Sequence, residues 1–587
     1  MKWSLWIWMF LAGVVTAQEG GPVPAKVDPR LWEKAGDTGA ETTFLVLFAS
    51  QADVSGAWDL PDKASKAVHV SDRLQAEAQS VQASLAADLQ AAGVPFRSLH
   101  IVNAMVVTGD RSWISALALR PEVSGIIENA PLRAAEPAMA GSGHTASNRG
   151  EPEWGLVRIN ADAVWALGYE GQGVVIGGQD TGFDWTHPAI RNTYRGYHAP
   201  TDTVAHSYHW HDAIHQYSPL NSDTLNPCGL NVAEPCDDNN HGTHTMGTMV
   251  GRDGANIIGV APAARWCACR NMERGWGDLS TYLECFEWFL APTDLDGNLP
   301  DPTMAPHVIN NSWYCPEQEG CNPSNFEVLG MAVDNLRAAG TVVVVSAGNS
   351  GSGCGTVASP AAIYEGSFTV GATAQNDTIA GFSSRGPVLS DGSGRMKPNV
   401  TAPGVGVRSA LPGGGYAAFS GTSMAGPHVA GLVALVISAN PALAGQVDII
   451  EDIIEQTAVA KYTTQDCGDL SGQAAPNNTY GFGRVDALAA VTAALAVVGT
   501  GMAADTRDAP FSVYPNPFGS AFTLSSSAIQ EDADLRLFDS RGGEAYHWQG
   551  RLAGPHIVET GDNMPSGIYF YILRTAEATW TGKVVKR

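Results

Sequence analysis

Ser423 lies in Gly421-Thr422-Ser423-Met424-Ala425-Gly426-Pro427-His428-Val429-Ala430-Gly431, ahead of an apolar run that ends near Ser438. A serine hydroxyl is a weak nucleophile until a base takes its proton. His241, in Asn239-Asn240-His241-Gly242-Thr243-His244-Thr245-Met246-Gly247, is a base whose pKa lies near neutrality. Asp180, in Gly177-Gly178-Gln179-Asp180-Thr181-Gly182, is a carboxylate able to hold an imidazole in one tautomer. Asn349, in Ser346-Ala347-Gly348-Asn349, carries an amide able to donate to an oxyanion. Each has an ordinary alternative: serine caps helices, and aspartate and asparagine close turns. Two histidines three apart suggest metal, but no Glu stands between them as in H-E-x-x-H, and no third ligand is obvious. His244 therefore reads as a packed residue. Together the groups point to acyl transfer. Ser423 attacks a carbonyl, His241 takes its proton, and an acyl-enzyme forms.

These side chains need elements to hold them. Ser423 is expected at the start of a buried helix, near its partial positive charge, with Pro427 in the first turn. Asp180 follows the apolar run Val174-Val175-Ile176, and Asn349 follows Val342-Val343-Val344-Val345. With Val308-Ile309, these short runs fit a parallel sheet buried on both faces. Helices are expected over 280–290 and 326–339. The alternation indicates an α/β layered fold, with functional groups at the carboxyl ends of its strands.

The chain has 587 residues, too many for one core. Its net charge of -25 argues against nucleic acid or an anionic membrane surface as partner. Residues 1–17 read as a signal peptide, with Lys2, an apolar stretch and Val15-Thr16-Ala17 for cleavage. The nine cysteines fit an oxidising destination. Cys228 with Cys236, and Cys315 with Cys321, flank short loops that each pair could close. Cys267, Cys269, Cys285, Cys354 and Cys467 have no assigned partner, and an odd total leaves at least one unpaired or shared between chains. Cys267-Ala268-Cys269 lacks the second ligand pair that a zinc site needs.

Between the signal peptide and residue 140 the pattern is β-α-β-β-α-β. Strands are expected at 43–48, within 96–107 and at 123–128, and helices at 71–92 and 112–119. This is a small α+β, ferredoxin-like unit. Residues 133–149 lack periodicity and look cleavable. The large domain spans 153–498 and a linker 499–510. Residues 511–587 then supply short strands separated by turn residues, a small β-sandwich.

The motifs around Asp180, His241 and Ser423, together with Phe382-Ser383-Ser384-Arg385-Gly386-Pro387 and Ala402-Pro403-Gly404, resemble those of subtilisin-like serine proteases. The order Asp, His, Ser agrees. Within that family the likeness is to the bacillopeptidase F type, carried by His209-Trp210-His211-Asp212, Cys269-Arg270-Asn271-Met272 and Ile309-Asn310-Asn311-Ser312-Trp313. The resemblance implies a three-layer domain with endopeptidase activity through Asp180, His241 and Ser423, with Asn349 as oxyanion donor. It implies a peptide bound as an extended strand, with Ser312, Trp313 and Tyr314 and Ser346, Ala347 and Gly348 as the two walls of the main specificity pocket. The family commonly has glycine where Tyr314 stands, so a narrowed pocket and small residues before the cleaved bond are expected. Gly426, where the family often has alanine, should be tolerated.

The N-terminal unit resembles the family's inhibitory propeptide, which implies a foldase and temporary inhibitor removed by self-cleavage within 133–149. A permanent N-terminal domain is the alternative. The C-terminal domain resembles the type IX secretion sorting domain through Tyr514-Pro515-Asn516-Pro517, Gly567-Ile568-Tyr569 and Lys583-Val584-Val585-Lys586. That implies type IX secretion machinery as a partner and a secreted or cell-surface product. No cofactor is required for the chemistry, and structural calcium is common in the family. Asp294-Leu295-Asp296-Gly297-Asn298 offers oxygen ligands but has Ala305 where an EF-hand has Glu, and reads as a solvated turn. A second function class is a catalytically silent, surface-displayed binding protein on the same scaffold. The four intact site residues favour the enzyme.

Overall fold

The computed structural model describes residues 23–497 except 37–38, 135–137, 140–150, 222–224 and 315–322. From 511 to 586 it describes all but 515–519, 527–529, 540–542, 553–554, 561–563, 566 and 576–578. The signal peptide, the 499–510 linker, Cys315, Cys321 and Pro515-Asn516-Pro517 lie outside these residues. The chain forms two compact units, of which one comprises the residues up to Ser50 with Val81–Ser98 and Ala104–Glu128.

That unit is organised by β1 (Thr42–Phe48), whose Phe44, Val46 and Phe48 alternate onto one face and enter its core. The chain continues through α1 (Lys63–Ala92), β2 (Phe96–Leu99), β3 (Ala104–Gly109), α2 (Arg111–Ala118) and β4 (Val123–Glu128). The sheet order is β2-β3-β1-β4, with β1 antiparallel to both neighbours. This is the expected ferredoxin-like arrangement. Helix α1 starts eight residues before the expected 71, because Asp62 accepts the Ser65 N–H at 2.9 Å and caps it.

The second unit holds the large domain and also β5 (Pro131–Ala134) and β6 (Ala138–Met139). Its central strands, in chain order, are β7 (Val175–Asp180), β8 (Trp210–Asp212), β9 (Arg265–Arg270), β11 (Val308–Asn311), β13 (Val342–Ser346), β14 (Phe368–Thr373) and β15 (Val400–Pro403). Between them come α3 (His241–Val250), β10 (Trp276–Asp278), α4 (Leu279–Leu290), β12 (Trp313–Tyr314) and α5 (Pro323–Ala338). After them come β16 (Val407–Leu411), β17 (Gly415–Ser420) and α6 (Thr422–Ala439). The seven-stranded sheet has the order β8-β9-β7-β11-β13-β14-β15, and all of its pairings are parallel.

The two middle glycines of β7 show why helices can close on both faces. A Cβ on Gly177 would come within 2.8 Å of Phe289 on α4, and one on Gly178 within 2.8 Å of Met246 on α3. Successive strand residues face opposite sides, so α4 and α3 belong to opposite layers. The three-layer α/β expectation is met. Strands β9, β14 and β15 mix Cys, Ala, Thr and Arg and carry no aliphatic run, so they were not foreseen.

Cys228–Cys236 is a disulfide, as its spacing suggested, and Cys269–Cys285 and Cys354–Cys467 are two more, while Cys267 is buried and free. The Cys354–Cys467 bridge spans 113 residues. Closing so long a loop in the unfolded chain is what makes a bridge stabilising. Replacing both cysteines by serine should lower stability by about 2–4 kcal/mol, read as an earlier thermal unfolding midpoint.

In the C-terminal domain, strands Phe511–Tyr514, Ala521–Ser526 and Pro555–Glu559 form one sheet. Glu544–Leu552, Gln530–Asp539, Gly567–Arg574 and Thr579–Lys586 form the other. Phe522, Leu524 and Val558 of the first meet Leu535, Leu537 and Leu573 of the second in one core. This is the expected sandwich.

Candidate active site

Parallel strands deliver their carboxyl ends to one edge of the sheet. Asp180 is the last residue of β7, Ser312 follows β11, and Asn349 stands three residues beyond β13. His241 opens α3, and Ser423 is the second residue of α6. The two helices pack on one another.

The His241 Nδ1 lies 2.7 Å from Asp180 Oδ1, and both side chains are buried. The same oxygen accepts the Thr181 N–H at 2.8 Å. Burial works against a charged imidazole, but the Asp180 charge and hydrogen bond, helped by Asp237, outweigh it and raise the His241 pKa above 6.5. The His241 Nε2 has no hydrogen-bond partner. Ser423 Oγ instead donates to the Ser312 carbonyl at 3.3 Å. The structure thus joins Asp180 to His241 and sets Ser423 on the adjoining helix with its hydroxyl on the Ser312 carbonyl.

Pro427 sits inside α6, not in its first turn as expected. Lacking an N–H, it leaves the carbonyl four residues earlier without a helical donor. That carbonyl is Ser423 O, and Ser312 Oγ donates to it at 3.2 Å. Ser312 and Ser423 are therefore tied by reciprocal bonds. Asn310 Nδ2 donates to Ser312 Oγ at 2.9 Å, and Ser346 Oγ donates to Thr422 O at 3.0 Å.

Asn349 Oδ1 accepts both the N–H and the Oγ1–H of Thr422, each at 2.9 Å. This fixes the amide with Nδ2 at its other end, beside Gly421, where a Cβ would lie 3.4 Å from it. Thr422 was not singled out in the sequence, although its place beside Ser423 was a usable signal. Gly348 has φ 99°, and its N–H donates to Thr422 Oγ1 at 3.2 Å. Ala347 is buried. Trp313 is fully buried with its ring 4.3 Å from the Tyr282 ring, and its backbone pairs with Ala134. Tyr314 continues that strand. His244 is buried and stacked 4.4 Å from Phe419, and burial pushes its pKa down to about 3, as fits a packed neutral residue.

The stretch 133–149, expected to lack periodicity, contributes the end of β5 and all of β6. β5 is the middle strand of a sheet whose edges are β10 and β12, antiparallel to both. Leu132 is opposite Gly277 and fully buried, and Ala134 is opposite Trp313. Beyond it, Ala138 pairs with Ser420, three residues before Ser423. The partner strands, not local periodicity, impose this conformation.

The subtilase family profile matches residues 171–483, more than half of the chain. The chain belongs to the subtilase family. It is 38% identical over 408 residues to bacillopeptidase F of Bacillus subtilis (strain 168), covering 68% of this chain and 26% of that protein. It is 30% identical over 367 residues to subtilisin E of the same strain, covering 62% and 77% respectively. To the M-protease of Shouchella clausii (strain KSM-K16) it is 31% identical over 330 residues, covering 56% and 67%. The chain thus spans about a quarter of bacillopeptidase F and about three-quarters of subtilisin E. A secretion system C-terminal sorting domain matches residues 512–587 and marks the subtilase for secretion. Subtilases need no cofactor for catalysis. The Asp294 carboxylate of this one accepts the N–H groups of Asp296 and Asn298 at 3.1 and 2.7 Å, closing an exposed turn. Among the described residues no group of three or more His, Cys, Asp or Glu side chains is arranged to hold a metal ion.

Proposed function

We propose that this subtilase is a secreted serine endopeptidase that hydrolyses peptide bonds through an acyl-enzyme on Ser423. His241 takes the hydroxyl proton and passes it to the leaving amine, and Asp180 holds the imidazole and stabilises its charge. The Asn349 amide and the Ser423 N–H, free in the first turn of α6, receive the oxyanion. The observation that carries this reading is β5, a stretch of the chain's own backbone lying as the central strand beside Ser312, with its continuation leaving along the strand that leads to Ser423. A peptide substrate would bind in the same extended form. Ser312 to Tyr314 and Ser346 to Gly348 would flank the residue before the cleaved bond, with Tyr314 favouring a small one. Profiling on a peptide library tests that preference, and a profile dominated by Phe or Arg at this position rejects it.

The same strand supports the N-terminal unit as a propeptide, with the cut proposed between Ala134 and Ala138, a few residues before the expected limit of 18–140. Its own propeptide and the type IX secretion machinery are then partners of the chain. The domain limits proposed with it are 153–498 for the peptidase and 511–587 for the sorting domain. Fluorophosphonate should label the wild type and not Ser423→Ala; labelling that survives would place the nucleophile elsewhere, and a wild type that takes no label would favour the silent binding protein.

Two further results are expected. Asn349→Ala should lower kcat by about a hundred- to a thousandfold with KM little changed, the size known for this donor in subtilisin itself. The active form needs a neutral His241, and its pKa is raised. Activity should therefore fall as pH drops, with a midpoint above 6.5 in the pH profile of kcat/KM.

A further inference from the structure

The loop before α3 carries a carboxylate that the mechanism above does not use. Asp237 Oδ1 accepts Thr181 Oγ1–H at 2.9 Å and the N–H groups of Asn239 and Asn240 at 3.0 and 3.1 Å. Its Oδ2 accepts the Thr243 N–H at 2.9 Å and Oγ1–H at 2.6 Å. All five contacts are drawn from donors and favour the ionised carboxylate, while burial pushes the Asp237 pKa up against them. Thr181 follows Asp180, and its Oγ1 in turn accepts the Gly242 N–H at 3.1 Å. Thr243 lies in the turn that His241 begins. The loop itself is anchored, since Asp237 bridges Gly182, Phe183 N–H donates to Cys236 O at 3.1 Å, and Cys236 is bonded to Cys228. A Cβ on Gly242 would come within 2.0 Å of Gly182 O, so the two segments are already in close contact.

We propose that Asp237 is a positioning residue for the hydrolysis, gripping the residue after Asp180 and the helix turn that starts with His241 and so setting the distance between carboxylate and imidazole. This rests on the triad reading above. Asp237 also places a second negative charge near the imidazole that becomes cationic during reaction. The other charged or titratable groups around it are Asp180 from β7, Asp184 through its N–H on Thr243, Asp238 in the same loop paired with Arg270 of β9, and His244 and His428 from the helices. Burial pushes His244 and His428 down to about 3 and 4, so both stay neutral. Burial pushes Asp238 up to about 7 against the pull of Arg270, so it titrates in the working range and needs its own control.

The test compares full-length wild type, Asp237→Asn, Asp237→Glu, Thr181→Val, Asp238→Asn and Ser423→Ala on one chromogenic peptide. An asparagine must turn an NH2 toward donors. A misplacement near 1 Å costs about a hundredfold, so kcat should fall by about that factor with KM within about twofold. The acidic midpoint of kcat/KM should move to lower pH. Thr181→Val should act in the same direction more weakly, and Asp237→Glu should restore the midpoint while leaving kcat low. If Asp237→Asn does not fold, Thr181→Val and an NMR titration of His241 in Ser423→Ala with and without it decide the matter. Wild-type kcat and midpoint in Asp237→Asn, or a lower melting temperature with unchanged kinetics, would overturn the proposal, as would a midpoint that follows Asp238→Asn alone. Activity persisting in Ser423→Ala would instead strike at the triad reading and leave the role of Asp237 a structural one.

Discussion

Ser423→Ala should reduce peptide hydrolysis by about six orders of magnitude, the loss measured on subtilisin itself when its serine or histidine is removed. The fold should survive. The side chain is fully buried, but it gives up only one hydroxyl, and the Ser312 Oγ–H to Ser423 O bond does not involve it. A neutral hydrogen bond is worth about 1 kcal/mol, small against the stability of a domain this size. The variant should also keep its N-terminal unit covalently attached, with the chain unbroken between Ala134 and Ala138. Wild type should show a new N-terminus within that interval. N-terminal sequencing of both proteins, with circular dichroism as the check on folding, reads the two effects at once. A variant that still processes itself would mean that another group, or another protease, cuts the chain. A wild type cut outside 134–138 would mean that β5 and β6 do not carry the scissile bond past the serine.

Asp180, His241, Asn349 and Ser423 were legible because each stands in a short motif whose neighbours have their own physical work. Gly177 and Gly178 admit two helix layers, and the small residues after Ser423 let α6 lie against the sheet. Asp237 was not legible, although it is four residues before His241. An aspartate in a loop reads as a turn former, and its hold on Thr181 exists only once β7 and α3 are assembled. The partners of Cys269 and Cys354 were hidden for the same reason, being 16 and 113 residues away. Pro427 misled in a useful way. Read as a helix starter, it proves to be a deliberate gap in the α6 ladder, and the carbonyl it frees ties Ser423 to the strand β11 side of the site. The segment 131–139 shows the limit most plainly. Its six paired residues have no strand pattern of their own and become strands only because β10, β12 and β17 present open edges.

Asp180→Asn should lower kcat by about ten-thousandfold, the order seen for the corresponding change in trypsin-like enzymes and for loss of this aspartate in subtilisin. That corresponds to about 5 kcal/mol of transition-state stabilisation. The geometry says how the loss divides. Asp180 Oδ1 alone takes both the Thr181 N–H and the His241 Nδ1–H. An asparagine can keep its carbonyl oxygen there and preserve the tautomer, so orientation need not be lost. What is lost is the negative charge, which holds the His241 pKa above its ordinary value despite burial. Without it, burial dominates and the imidazole titrates lower. The acidic limb of kcat/KM should therefore move to lower pH while the plateau drops, so the variant is slow at every pH yet holds its remaining activity further into acid. If the amide instead turns its NH2 to the imidazole, Nδ1 becomes the acceptor and Nε2 carries the proton. The base is then unavailable at any pH, and the plateau falls with no useful limb left. A lower plateau whose limb stays at the wild-type position would show that Asp180 is not the charge that sets the His241 proton affinity, and the pair seen at 2.7 Å would be structural.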